Sequence, residues 1–136
     1  MVRLDRIYTR GGDGGTTSTG GGQRVSKLNP RIAAGGSIDE TNCSLGMAIA
    51  AGTTDELMEA LRGLQQFLFD LGADLCVPLP HDGEADTLPT RLLQDDVTHL
   101  ERLIDQFAAR QLPLNSFVLP GGSPAAAQLH LARSIC

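Results

Sequence analysis

The residues best equipped for chemistry lie near the N-terminus. From Ile7 to Lys27 the chain reads Ile-Tyr-Thr-Arg-Gly-Gly-Asp-Gly-Gly-Thr-Thr-Ser-Thr-Gly-Gly-Gly-Gln-Arg-Val-Ser-Lys, which holds seven of the 16 glycines. Four hydroxyl residues, Thr16 to Thr19, sit between Gly15 and Gly20, and cations flank the stretch at Arg10, Arg24 and Lys27. Glycine lets a backbone approach a ligand closely and take positive φ, so N–H groups can converge on an anion. Thr and Ser add hydroxyl donors, and Lys and Arg neutralise charge. Together these are the means to hold a polyphosphate. The spacing of glycines, lysine and hydroxyl residue is not that of an ordinary P-loop. On composition alone the stretch also reads as a flexible linker. Against that, Ile7-Tyr8-Thr9 and Arg24-Val25-Ser26-Lys27 bracket it with residues typical of folded protein. Glycine's backbone entropy predicts that neither helix nor strand runs through 11–22.

Other candidate groups are sparser. Asp39 and Asn42 lie three apart, on one side of a predicted helix, where a solvated carboxylate is the ordinary reading of Asp39. Cys43, Cys76 and Cys136 are odd in number and widely spaced, with no CxxC and no nearby His, so neither zinc nor a disulfide framework is indicated. They read as reduced thiols of a cytoplasmic protein. His81 and His99 are predicted to face water.

The elements that must position these groups are helical. Asn29-Pro30 gives an N-cap and a proline at the first helical position, opening a helix to about Ala51. Ile32, Gly36, Leu45 and Ile49 fall near one face of it, and Gly35-Gly36 inside it implies another element packed close by. Thr53 and Glu56 form a capping box, after which Leu57, Leu61, Leu64, Leu68, Leu71 and Leu75 step by 4, 3, 4, 3 and 4. A loop over 77–89 follows, then a second stripe at Leu93, Val97, Leu100, Ile104 and Phe107. Pro113 breaks the chain, and Phe117-Val118-Leu119-Pro120-Gly121-Gly122 cannot be helical throughout. Ser123-Pro124 restarts a helix that runs to Cys136. On sequence alone Phe117 is a core residue.

With 136 residues and 41% hydrophobic content, the chain has the size of one domain with a real core. A net charge of −5 disfavours a non-specific nucleic-acid binder. No apolar run approaches a membrane span, and no signal peptide is evident. The predicted architecture is an all-α bundle over 29–136 with a Gly-rich N-terminal loop over 1–28.

The motifs Ile7-Tyr8-Thr9-Arg10, Gly12-Asp13, Gly15-Thr16-Thr17-Ser18, Arg24-Val25-Ser26-Lys27, Pro30-Arg31 and Ile38-Asp39-Glu40 occur in an order and spacing that resembles the PduO-type ATP:cobalamin adenosyltransferases. So do Asn42, Leu45-Gly46, Gln65-Gln66, the run from Phe117 to Gly122, and Leu129-His130-Leu131-Ala132-Arg133. The resemblance implies a single adenosyltransferase domain of ferritin-like, up-down helical-bundle fold, assembled as a cytoplasmic homotrimer with active sites between subunits. It implies transfer of the 5′-deoxyadenosyl group of ATP to cob(I)alamin with release of triphosphate, helped by magnesium. A reductase and a cobalamin-dependent enzyme would be further partners, and nucleic acid and membrane would not. By family position, Thr9, Arg10, Gly11, Gly12, Thr17, Ser18 and Lys27 contact ATP, Asp39 pairs with Arg133 across the subunit interface, and Phe117 covers the lower axial face of the corrin. Three positions depart from the family pattern: Gly11, where Thr or Asn is usual, Gly35, where Tyr is usual, and Thr41, where Leu is usual. The family pattern also continues past Cys136 with an Arg-Arg-Ala-Glu-Arg run and further helices that complete both sites. A non-catalytic nucleotide- or cobalamin-holding subunit, or an inactive fragment, is the alternative.

Overall fold

A computed structural model describes residues 7–77, 79–80, 86 and 91–136. Among these residues two short strands, β1 (Thr16–Ser18) and β2 (Arg24–Ser26), precede four helices: α1 (Pro30–Ala50), α2 (Asp55–Cys76), α3 (Gln94–Ala108) and α4 (Pro124–Ile135). The helical architecture is as the periodicity predicts. The glycine-rich stretch differs: β1 and β2 pair antiparallel, with Thr16 opposite Ser26, Thr17 opposite Val25 and Ser18 opposite Arg24. Between Gly15 and Gly20 the chain has hydroxyl residues only, and two of the three in β1 are β-branched threonines, which suit a strand. A strand therefore fits where an exclusion based on glycine content predicted none.

The helix ends follow their local chemistry. The Asn29 carboxamide oxygen accepts from the Arg31 N–H at 2.9 Å, ahead of Pro30. Gly52, at φ 91°, closes α1 with its N–H on the Ile49 carbonyl. The cap of α2 falls one residue later than the sequence suggests: the Thr54 hydroxyl, not that of Thr53, accepts from the Leu57 N–H. That shift moves Glu56 out of the capping box and frees its carboxylate for α3. At α4, the Ser123 hydroxyl accepts from the Ala126 N–H at 3.2 Å.

α1 packs against both α2 and α4. Leu45, Ala48, Leu61 and Ala132 form the buried centre, with Ile49, Leu57, Leu64, Leu68 and Leu129 around it. A reciprocal pair of amide bonds fixes α1 against α2. The Asn42 side chain donates to the Gln65 carbonyl and the Gln65 side chain donates to the Asn42 carbonyl, both at 3.1 Å. Gly46 makes room for this, since a Cβ there would come 3.3 Å from Gln65 Nε2. Gly35 and Gly36 behave otherwise: a Cβ at either meets nothing within 4 Å, so among the described residues no element packs against them.

α3 attaches to α2 through side chains. At one end Arg110 donates to both Glu56 oxygens, at 2.8 and 2.9 Å, and lies over the Phe107 ring. Near the other, Arg91 pairs with Asp74 at 2.6 Å and with Asp86 at 2.7 Å. His99, predicted to face only water, is exposed yet stacks on Phe67 with ring centroids 6.0 Å apart. The α3 stripe is half covered: Leu100 and Phe107 are partly buried, while Leu93, Val97 and Ile104 are exposed. Among the described residues no helix is long and apolar enough to cross a membrane. His81 and most of the 77–89 loop lie outside the described residues.

Candidate functional site

The N-terminal segment folds back on itself before it becomes a ribbon. Arg10 takes a left-handed φ of 59°, which costs a residue with a side chain about 1–2 kcal/mol. The chain then turns, with the Asp13 N–H reaching the Arg10 carbonyl and the Gly15 N–H reaching the Gly12 carbonyl. Among the described residues, the N–H groups of Gly11, Gly12 and Gly14 find no acceptor. A Cβ on Gly14 would meet nothing within 4 Å, so the turn is open on that side.

Two cations organise this turn in different ways. The Lys27 side chain lies over it: a Cβ at Gly12 would come 3.1 Å from Lys27 Nζ and 3.2 Å from its Cε. Gly12 is therefore needed for the ammonium to approach the loop backbone. The Lys27 N–H bonds the Gly15 carbonyl at 2.9 Å, which ties the far end of the ribbon to its start. Arg24 acts as an internal strap. Its guanidinium donates to the Gly11 carbonyl at 2.6 Å, to Ser18 Oγ at 3.3 Å and to Thr16 Oγ1. Arg24 is thus committed inside the loop. Lys27 is not: no hydrogen bond or ion pair occupies its ammonium among the described residues. An ammonium beside unpaired N–H groups and hydroxyls is a seat for a multiply charged anion.

The structure brings Thr9, Gly11, Gly12, Ser18 and Lys27 into this one assembly. Gly11 stands beside Thr9, whose Oγ1 would be 3.6 Å from a Cβ there. The Arg10 guanidinium lies 5.7 Å from the centre of the Tyr8 ring. Strand alternation places Thr17 on the opposite face of the ribbon from Thr16 and Ser18, half-buried alongside Val25. Val25 lines a cavity of about 400 Å³ together with Ile32, Gly35, Leu75 and Cys76. The turn of the ribbon touches the end of α2, where the Gly20 N–H donates to the Cys76 carbonyl at 2.9 Å.

Among the described residues no hydrogen bond joins Asp39, Phe117 or Arg133 to the ribbon. Asp39 is exposed on α1 and Arg133 on the last turn of α4, and neither forms an ion pair within the chain among the described residues. Phe117 is 106% exposed, which overturns its placement in the core. It projects from a segment in which Leu112, Leu114 and Leu119 are exposed as well.

The sequence indicated the flanking cations but not their division of labour. Arg24 as a strap and Thr16 as its partner were missed. Thr-Thr-Ser and Arg-Val-Ser separated by five residues rich in glycine is a hairpin signal that could have shown it.

Comparison with known proteins gives concordant results. The family described as "Cobalamin adenosyltransferase" matches residues 7–136. A corrinoid adenosyltransferase from Mycobacterium leprae is 42% identical over 136 residues, covering 98% of this chain and 71% of the relative. The corrinoid adenosyltransferase PduO of Salmonella typhimurium is 42% identical over 130 residues, covering 95% of this chain and 38% of the relative. Among solved structures, a variant of a PduO-type ATP:corrinoid adenosyltransferase from Lactobacillus reuteri, complexed with cobalamin and ATP, superposes with a TM-score of 0.80 at 36% identity, covering 96% of this chain and 71% of that one.

Proposed function

Because the chain belongs to the cobalamin adenosyltransferase family, we propose that it transfers the 5′-deoxyadenosyl group of ATP to the cobalt of cob(I)alamin. The observation that carries this for the chain's own residues is the Lys27 ammonium lying over Gly12 beside unpaired loop N–H groups. In the reaction the cobalt electron pair attacks C5′ of ATP, a cobalt–carbon bond forms, the C5′–oxygen bond breaks, and triphosphate departs with that bond's electrons. Reduced cobalt is itself the nucleophile, so the protein needs to supply none. It must hold C5′ in line with the cobalt and stabilise the charge that develops on the leaving triphosphate.

In this proposal Thr9, Arg10, Gly11, Gly12, Thr17, Ser18 and Lys27 bind ATP. Lys27 takes phosphate charge, the loop N–H groups and the Thr9 and Ser18 hydroxyls take phosphate oxygens, and Thr17 contributes by holding β1 in place through its pairing with Val25. Magnesium would arrive on the triphosphate itself: no cluster of three His, Cys, Asp or Glu residues suited to a metal occurs among the described residues, and Mg²⁺ commonly binds through phosphate oxygens and water. There it would neutralise leaving-group charge. Phe117 covers the lower axial face of the corrin, a role that its full exposure suits. Asp39 and Arg133, both exposed and unpaired among the described residues, join across an interface in a homotrimer. Free thiols at Cys43, Cys76 and Cys136 are in keeping with a cytoplasmic setting.

An anaerobic assay with ATP and chemically reduced cobalamin tests the proposal. The cobalt–carbon spectrum should appear in proportion to protein and stoichiometrically with triphosphate. Binding of both ligands with no spectral change would leave a holding protein without catalysis.

A further inference from the structure

The turn of the ribbon meets the helical body at one close point. The Gly20 N–H is shared between the Cys76 carbonyl at 2.9 Å and Cys76 Sγ at 3.1 Å. A Cβ on Gly20 would lie 2.7 Å from Val77 Cγ2 and 3.4 Å from Cys76 Sγ. Gly15 and Gly22, by contrast, take φ of 80° with nothing within 4 Å of a Cβ. Gly20 has no such backbone requirement, so its glycine serves close approach. The Cys76 carbonyl is among the last of α2 and has no partner further along the helix, so the Gly20 N–H supplies an acceptor that would otherwise be orphaned.

Behind this point the ribbon is thinly supported. The cavity of about 400 Å³ separates Thr19, Gln23 and Val25 from Ile32, Gly35 and Leu75. The ribbon therefore lacks a packed apolar seat, and the Gly20 contact carries much of its attachment. Ser18 lies two residues before Gly20, and Lys27 directly follows β2, so any displacement of the turn moves the groups that face the phosphates.

We propose that Gly20, seated against Cys76 and Val77 at the end of α2, is a docking point that holds the ribbon in its ATP-binding position and so sets ATP affinity. Gly20 is the positioning residue and does not touch the nucleotide; Val77 is only the side chain that residue 20 must clear. The inference rests on the assignment of the ribbon to ATP. The mechanism is a population effect: ATP binds the docked ribbon, and the apparent affinity falls in proportion to the docked fraction. Corrinoid binding, made by other parts of the chain, is not subject to it.

The test is a cycle of Gly20→Ala, Val77→Ala and the double variant. Gly20→Ala drives a methyl into Val77 Cγ2, and Val77→Ala removes that atom. Gly20→Ala should raise KM for ATP about tenfold, with kcat at saturating ATP and KM for corrinoid within about twofold of wild type. Val77→Ala alone should stay within about twofold on every constant, and the double variant should return KM for ATP toward wild type. Cys76→Ala should also stay within about twofold, because the main-chain carbonyl remains to accept the Gly20 N–H. Amide exchange at residue 20 without nucleotide reads docking separately from ATP. It should accelerate in Gly20→Ala and recover in the double variant. Unchanged exchange in Gly20→Ala would overturn the docking point and leave the ATP assignment standing. Accelerated exchange with an unchanged KM for ATP would overturn the proposal from the other side, by removing the ribbon from the ATP site. A uniform loss of melting temperature that Val77→Ala does not relieve would also overturn it.

Discussion

Lys27 and Arg24 stand three residues apart with like charge, and the fold uses them differently. Among the described residues nothing occupies the Lys27 ammonium, so its removal should be felt by the ligand rather than by the loop. Lys27→Ala should weaken ATP binding by roughly 1.5–3 kcal/mol, the worth of a charge-assisted bond, and leave cobalamin binding unchanged by calorimetry. Equal losses for both ligands would indicate misfolding. Phe117→Ala should leave the melting temperature where it is, because the ring is exposed, and should reduce the spectral signature of four-coordinate cobalamin. A lower melting temperature with an intact signature would return Phe117 to a structural role. Asp39→Ala and Arg133→Ala should each impair cobalamin handling. If the two residues pair between subunits, a double-mutant cycle should show coupling of about 0.5–3 kcal/mol, whereas additivity would break the pair.

The helices were legible because their signals are local. Asn29-Pro30 and Ser123-Pro124 set the starts of α1 and α4, and the leucine stripe of α2 set its inward face. Thr53 and Thr54 are chemically almost alike, so only the backbone could decide which of them caps α2. The ribbon was not legible from glycine content, because pairing between Thr17 and Val25 is a non-local event. The cover of α3 was hidden for a related reason: a heptad stripe marks a face but not what lies against it. In this chain Leu93, Val97 and Ile104 remain exposed, and polar ties do much of the joining. One of those ties is sensitive to pH. Bonding to Arg110 holds the Glu56 carboxyl below its ordinary value of 4.5, and the same contact raises the pKa of Arg110. A depressed carboxyl stabilises the fold above its unfolded pKa, and that contribution is lost as pH falls through the lower folded value. Wild type should therefore melt above Glu56→Gln at neutral pH, and the two curves should converge below about pH 4.5. A difference that persists in acid would assign the effect to packing. Both groups are about half exposed, so the neutral-pH difference should be small.

At the scale of the molecule, the chain buries only a modest core for its length. Leu45, Ala48, Leu61, Ala125 and Ala132 are its buried apolar residues among those described, whereas Leu93, Ile104, Leu112, Leu114, Phe117 and Leu119 are each at least 65% exposed. The expectation is self-association. Light scattering on the 136-residue chain should give a mass above that of a monomer, with a trimer the proposed species. A monomer at all concentrations would sink the proposed site between subunits. The strap made by Arg24 has a consequence for the kind of molecule the N-terminal turn can receive. A hydroxyl oxygen that accepts from a guanidinium must aim its own proton elsewhere. By donating to Thr16 and Ser18, Arg24 takes up one acceptor position on each hydroxyl and leaves their protons to point away from the guanidinium. Together with the N–H groups of Gly11, Gly12 and Gly14, which find no acceptor among the described residues, this gives the turn a surplus of hydrogens to offer. A visitor carrying many acceptors and no donors is welcome there, and water, which brings both in equal number, is poorly matched to it.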